Sequence, residues 1–114
     1  MEIRSNNKIY IIAPLSPKLG RYETTRIAKE IVNETSNESI ALDLANVTDC
    51  TIDFIETIRE IAKNKSIGMF NISSDIFAIF NYMKLDKNIN LFVSELDFRE
   101  NTRQLINRKF DKFS

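Results

Sequence analysis

Residues 39–44, Ser39-Ile40-Ala41-Leu42-Asp43-Leu44, are an apolar run broken by a single charge. Six residues are too few for a buried helix and suit a strand in the middle of a sheet. Downstream, Ile52, Ile55, Ile58, Ile61 and Ala62 recur about every three residues, with Glu56, Arg59, Glu60 and Lys63 between them. That spacing predicts an amphipathic helix whose apolar stripe faces inward, and Asp53 with Glu56 three residues later reads as a capping box that starts it. Residues 66–72 (SIGMFNI) predict a further strand. Ser73-Ser74-Asp75 then supplies caps for a helix carrying Ile76, Ile79, Phe80 and Met83. Residues 90–93 read as a last strand, and residues 94–113 as a polar helix with Leu96, Leu105, Ile106 and Phe110 as sparse apolar contacts.

Upstream of the run, Thr24, Ile27, Ala28, Ile31 and Thr35 predict a helix over residues 22–35, ended by Ser36-Asn37-Glu38. Residues 14–20 hold the only proline/glycine cluster and read as a loop. Before it, Lys8-Ile9-Tyr10-Ile11-Ile12-Ala13 has the β-branched and aromatic composition of a buried strand, and Glu2-Ile3-Arg4 pairs with it across an Asn6-Asn7 turn. The order is ββαβαβαβα. Such alternation predicts an α/β fold: a mixed, mainly parallel sheet of four to five strands, right-handed crossovers, and about four helices covering at least one face.

At 114 residues, 43% of them hydrophobic, the chain suits one domain over residues 1–114 with a core that needs no disulfide or metal. Sixteen basic residues balance sixteen acidic ones, so no overall field draws the chain to nucleic acid or an anionic membrane. Histidine is absent and Cys50 is the sole cysteine. The usual zinc and iron ligand sets, Ser/His/Asp hydrolases and Cys/His proteases therefore lack a central residue. Cys50 itself reads as a small hydrophobe at the core's edge. Gly20 and Gly68 form no phosphate-cradling loop, which disfavours a nucleotide sensor, and no cofactor is expected. The apolar run of residues 9–15 is too short to span a bilayer and has no cleavage site after it, so a cytoplasmic protein is expected.

From Leu42-Asp43-Leu44-Ala45-Asn46-Val47-Thr48 onward the sequence resembles the STAS domain, the fold of the bacterial anti-sigma factor antagonists. In that family an LDLSGVTF-type strand leads into an Asp-Ser-Ser-Gly-Leu-like turn, a helix, a strand ending in a Ser-Pro-type cap, and a helix followed by a Leu-Asp-Lys-like turn. The matching segments are residues 42–48, residues 51–55, the helix to Lys63, residues 66–73, and Leu85-Asp86-Lys87. The likeness is clearest over residues 40–93. It implies a non-enzymatic switch that docks a protein partner, often an anti-sigma factor with serine-kinase activity, through the turn that opens the second helix. Phosphorylation of that turn releases the partner; a phosphate adds about 1.5 to 2 negative charges that a closed interface must desolvate.

Ungapped matching sets Thr51 at the motif's aspartate, Ile52 at its first serine, Asp53 at the phospho-acceptor and Phe54 at the glycine. The resemblance thus assigns Asp53 the acceptor's position and makes Thr51, Ile52, Asp53, Phe54 and Glu56 the partner-binding residues, with the phospho-switch lost or fixed. Asp53 has two readings: an ordinary helix-start acid worth about 0.3–1 kcal/mol, or a permanent anion that imitates the phosphorylated state. Phe54 is either core or an aromatic anchor for a partner; as an anchor, Phe54→Gly changes partner binding and leaves the melting temperature alone. Asp49, Asp53, Glu56 and Glu60 face Arg59 alone between residues 49 and 60, either as a solvated face or as a surface for a basic partner. The last helix is the reverse: Arg99, Arg103, Arg108, Lys109 and Lys112 outnumber Glu100 and Asp111, a solvated face or a match for an acidic partner or a second copy in a homodimer. Thr48, Thr51, Ser73 and Ser74 remain as hydroxyls for phosphorylation, although capping is the simpler role for Thr51. The alternative to a regulator of this kind is a structural STAS-type subunit of a larger assembly, either a signalling scaffold or the cytoplasmic side of a transporter.

Overall fold

In β4 (Ser39–Asp43), Ile40 and Leu42 belong to one apolar cluster and Ala41 to another, because successive strand residues face opposite sides of a sheet. The same division runs through the whole molecule. The computed structural model describes residues 1–6, 8–34, 39–85 and 89–101. An opening hairpin, β1 (Glu2–Ser5) and β2 (Ile9–Ala13), is followed by β3 (Lys18–Leu19) and α1 (Arg21–Asn33). After β4 come β5 (Asp49–Cys50), α2 (Ile52–Ala62), β6 (Ile67–Phe70), α3 (Ser74–Tyr82), β7 (Asn90–Leu91) and α4 (Glu95–Glu100). The main sheet has the order β1-β2-β4-β6-β7, antiparallel only at β1–β2, so the expected mainly parallel α/β architecture is present.

On one side of the sheet, Ile12, Leu42, Met69 and Leu91 meet Ile27 and Ile31 of α1, Phe54, Ile55 and Ile58 of α2, and Ile76 and Phe80 of α3. On the other side Ile11, Ala41, Phe70 and Phe92 meet Phe98 of α4. Gly68 lets that last helix approach: a Cβ there would sit 3.0 Å from the Phe98 ring.

Five expectations from the sequence differ from the structure. Residues 14–20 are more than a loop, since β3 pairs in parallel with β5 as a separate two-stranded sheet. Two-residue strands carry no periodic signal. Helix α2 is capped by Thr51 rather than by an Asp53–Glu56 box, and Ile52 lies 65% exposed while Phe54 is fully buried. At roughly 100° per residue, Phe54, Ile55 and Ile58 share an arc that excludes Ile52. Helix α4 ends at Glu100, where Asn101 adopts a left-handed C-cap, and Leu96 is 59% exposed whereas Asp97 and Phe98 are buried. Thr35, residues 36–38, Asp86, Lys87, Leu105, Ile106, Phe110 and the basic residues from Arg103 to Lys112 lie outside the described residues. Among the described residues no helix is long and apolar enough to cross a membrane.

A helix leaves its last carbonyls unpaired, and Lys65 supplies the missing donor for α1. Its Nζ donates to the carbonyls of Ile31 and Glu34, each at 2.6 Å. Lys65→Met is expected to cost about 1–2 kcal/mol in urea unfolding, because an aliphatic chain of similar length keeps the packing but not the cap.

Candidate functional site

The turn from β5 into α2 is built by Thr51. Its Oγ1 accepts from the Phe54 N–H at 3.3 Å and donates to the Leu19 carbonyl at 3.1 Å, while its own N–H donates to that same carbonyl at 3.1 Å. Both capacities of the hydroxyl are therefore engaged, and the helix entry is stitched to β3. The Thr48 hydroxyl, on an exposed residue, donates to the Pro17 carbonyl at 3.3 Å. Ser73 caps α3 by accepting from Ile76 N–H at 3.2 Å, and Ser74 is exposed in its first turn.

The structure separates the five sequence-assigned contact residues. Ile52, Asp53 and Glu56 are exposed at the start of α2, and Thr51 is half-buried beneath them. The Asp53 carboxylate, 57% exposed, lies 3.5 Å from Nε of the still more exposed Arg21 at the start of α1. Such a solvent-screened pair is worth about 0–1 kcal/mol, so it marks proximity more than stability. Glu56 accepts from Arg59 at 3.3 Å, and Arg59 also donates to the Met83 carbonyl behind α3. Phe54 is the exception: fully buried, it stacks on Phe80 with ring centroids 6.4 Å apart. A ring in that place offers no surface to a partner, and the aromatic-anchor reading is withdrawn. The Cys50 thiol is pushed up to about 11, by burial first and then by Asp49, which leaves it a poor nucleophile.

On the α1 side of Arg21, an open cleft of about 440 Å³ is lined by Met1, Leu15, Pro17, Tyr22 and Arg26 among others. Arg26 lies over the Tyr22 ring, 5.7 Å from its centroid. The outward end of α2 presents the apolar Ile52 beside the carboxylates of Asp53 and Glu56, with Arg21 near the first and Arg59 near the second.

A second polar group went unread in the sequence. Asp43, 8% exposed on the α4 side of the sheet, accepts from Arg4 Nη2 at 2.9 Å, from Asn71 Nδ2 at 3.0 Å and from the Ala45 N–H at 3.1 Å. Arg4 also reaches Glu95 at 2.8 Å and Glu2 at 3.1 Å, and Glu95 holds Arg99. Burial alone would raise the Asp43 carboxyl. The bonds from Asn71, Arg4 and Ala45 outweigh it and hold the group below its ordinary 3.8. The Asp43–Arg4 pair thereby ties β1, β4, the turn after β6 and α4. The signal was present as the lone charge inside the apolar run of residues 39–44.

No protein-family model matches the sequence, and a search of curated proteins finds no relative. Solved structures do match. The murine Solute Carrier 26 family member A9 (Slc26a9) anion transporter, in its inward-facing state, aligns with a TM-score of 0.63 at 12% identity over 83% of this chain. The match occupies 18% of that transporter chain. The anti-sigma factor antagonist SpoIIAA in its unphosphorylated form aligns with a TM-score of 0.55 at 11% identity, over 71% of this chain and 81% of that one. Together they establish a STAS-like fold.

Proposed function

We propose that this STAS-like domain is a non-enzymatic, cytoplasmic protein-interaction module whose partner reads Ile52, Asp53 and Glu56 at the start of α2, over the Thr51 cap and beside Arg21. The exposure of Ile52 next to the exposed Asp53 and Glu56 carries the reading, because an apolar side chain left in water beside two carboxylates is free to bury against a partner. The likeness to an anti-sigma factor antagonist supports a regulatory role. Asp53 is a permanent anion where the family's acceptor hydroxyl stands, and the Thr51 hydroxyl is committed to the cap. Binding is therefore fixed with respect to phosphorylation of this turn. The partner has an apolar pocket flanked by basic residues, and the likeness to an anti-sigma factor antagonist supports an anti-sigma factor of the serine-kinase type as that partner.

The experiment is capture of the partner on the wild-type chain, followed by affinity measurement with purified Ile52→Asp and Asp53→Arg. Both side chains are exposed, so the expected melting temperatures stay within a few degrees of wild type. The expected affinities fall by about tenfold or more, the usual size for loss of an interface contact. Wild-type affinity in both variants removes the turn from the mechanism.

The transporter likeness supports a second reading, a structural STAS-type subunit of a larger assembly. Native mass separates them: a stoichiometric complex that survives purification favours the subunit, and a reversible one favours the regulator.

A further inference from the structure

In the opening hairpin, the Asn6 N–H donates to the Ile9 carbonyl at 2.9 Å, and the ladder runs in the register Ser5↔Tyr10, Arg4↔Ile11, Ile3↔Ile12, Glu2↔Ala13. Bonded pairs alternate along an antiparallel ladder. Arg4 and Glu2 therefore direct their backbone groups to β2, and Ile3 and Ser5 direct theirs away from it. Strand β1 is also the last in the main sheet among the described residues, so those outward groups form an open edge. Proteins usually blunt such an edge. Here it carries the exposed Ile3, and the two charges flanking Ile3 are of opposite sign.

We infer that β1 pairs antiparallel with β1 of a second copy, about a two-fold axis through Ile3, joining two five-stranded sheets into one. In that register Ile3 opposes Ile3 as a bonded pair, Glu2 opposes the partner's Arg4, and Arg4 opposes the partner's Glu2. The side chains of Glu2 and Arg4 lie on one face, so the four charges alternate in sign around the axis. Sliding the pairing to the next bonded register in either direction sets Arg4 against Arg4 or Glu2 against Glu2, and like charges directly opposed are unfavourable. Opposite-charge pairing thus selects one symmetric register, as an isologous contact requires. Arg4 retains capacity for it, since its contacts to Glu2, Asp43 and Glu95 use both terminal nitrogens and leave the Nε donor outside those contacts. Four residues of edge bury less than a standard interface, so the dimer is weak and reversible. This inference is independent of the α2 surface.

Sedimentation velocity on the full chain from about 1 μM to about 1 mM tests it. The expected result is a mass that rises from the 13.2 kDa monomer toward twice that value, and association that weakens as salt is added. Glu2→Lys leaves the fold intact and raises the dimer dissociation constant about tenfold or more, because two attractive pairs become repulsive. Ile3→Pro removes an outward N–H without touching the β1–β2 ladder, and abolishes the dimer. A wild-type chain that stays monomeric up to about 1 mM overturns the inference, and so does a dimer equally tight in both variants.

Discussion

Asp43→Ala is expected to lower the unfolding free energy by about 2–3 kcal/mol, read from the urea midpoint at constant m-value. The carboxylate is almost wholly buried and accepts three hydrogen bonds, one of them from the Arg4 guanidinium. Removing it costs the Asn71 amide and the Ala45 N–H, both on exposed residues, their hydrogen bonds to a charged acceptor, and takes from Arg4 its most buried counter-charge. For a domain of this size that is a large share of the total stability. Asp43→Asn is milder, since an amide oxygen still accepts from Asn71 or Ala45 while the charge is lost. Acid reports on the same group. Its carboxyl titrates below the ordinary 3.8 in the fold, so its stabilisation is complete above that value and disappears as the pH falls through the lower folded one. In Arg4→Met the burial of Asp43 has only two hydrogen bonds to oppose it, and acid unfolding begins at higher pH than in wild type. An unchanged acid limb in Arg4→Met would show that Arg4 is not what lowers the Asp43 carboxyl.

Tyr10 behaves in the opposite sense. Its hydroxyl donates to Glu30 at 2.5 Å and its titration is pushed up to about 12, chiefly by that bond and then by burial. Its contribution is intact below the ordinary value of 10 and is lost as the pH climbs through about 12. The two groups together bracket a broad neutral range in which the hairpin is held both to α1 and to the α4 side.

What the residues disclosed in advance followed from periodicity. Ile27 and Ile31, Ile55 and Ile58, and Ile76 and Phe80 repeat at helical spacing and were readable as inward stripes, while Ile11-Ile12 and Ala41-Leu42 sit in runs short enough to be strands. Their alternation was enough for the mainly parallel sheet. Features that depend on contacts across the chain were not readable. The β3–β5 pairing rests on Pro17 and Leu19 accepting from Thr48, Asp49 and Thr51, bonds that span some thirty positions and leave no local pattern. The tie through the Asp43–Arg4 pair needed Asn71 and Glu95, which only the folded sheet brings together. At the start of α2 the helix begins two residues earlier than an Asp53 cap implies, with Thr51 as the cap, and the helical phase then puts Phe54 rather than Ile52 with Ile55 and Ile58. At α4 Leu96 is exposed and Phe98, which the sequence did not single out, is buried, because six residues fix no stripe.

Phe54→Ala is the variant that separates core from interface at the turn, and it is expected to destabilise by about 3–5 kcal/mol. The ring is fully buried and lies against Phe80 at an interplanar angle of 23°, so truncation removes an aromatic contact and leaves a cavity between α2 and α3. The melting temperature should fall by about 12–25 °C for a domain of this length. Phe54→Gly, which restores the residue typical of the family, should be worse by about 1 kcal/mol, because glycine adds a backbone cost in the first turn of the helix. Phe54→Leu keeps most of the volume and should cost about 1–2 kcal/mol. The ordering Gly, Ala, Leu, from most to least damaging, follows from burial alone; an interface anchor would instead weaken partner binding in all three at nearly constant melting temperature. The same measurement on Ile52→Asp should show almost no loss, since that side chain is already in water. The contrast between residues 52 and 54 is thus a thermodynamic reading of where helix α2 begins.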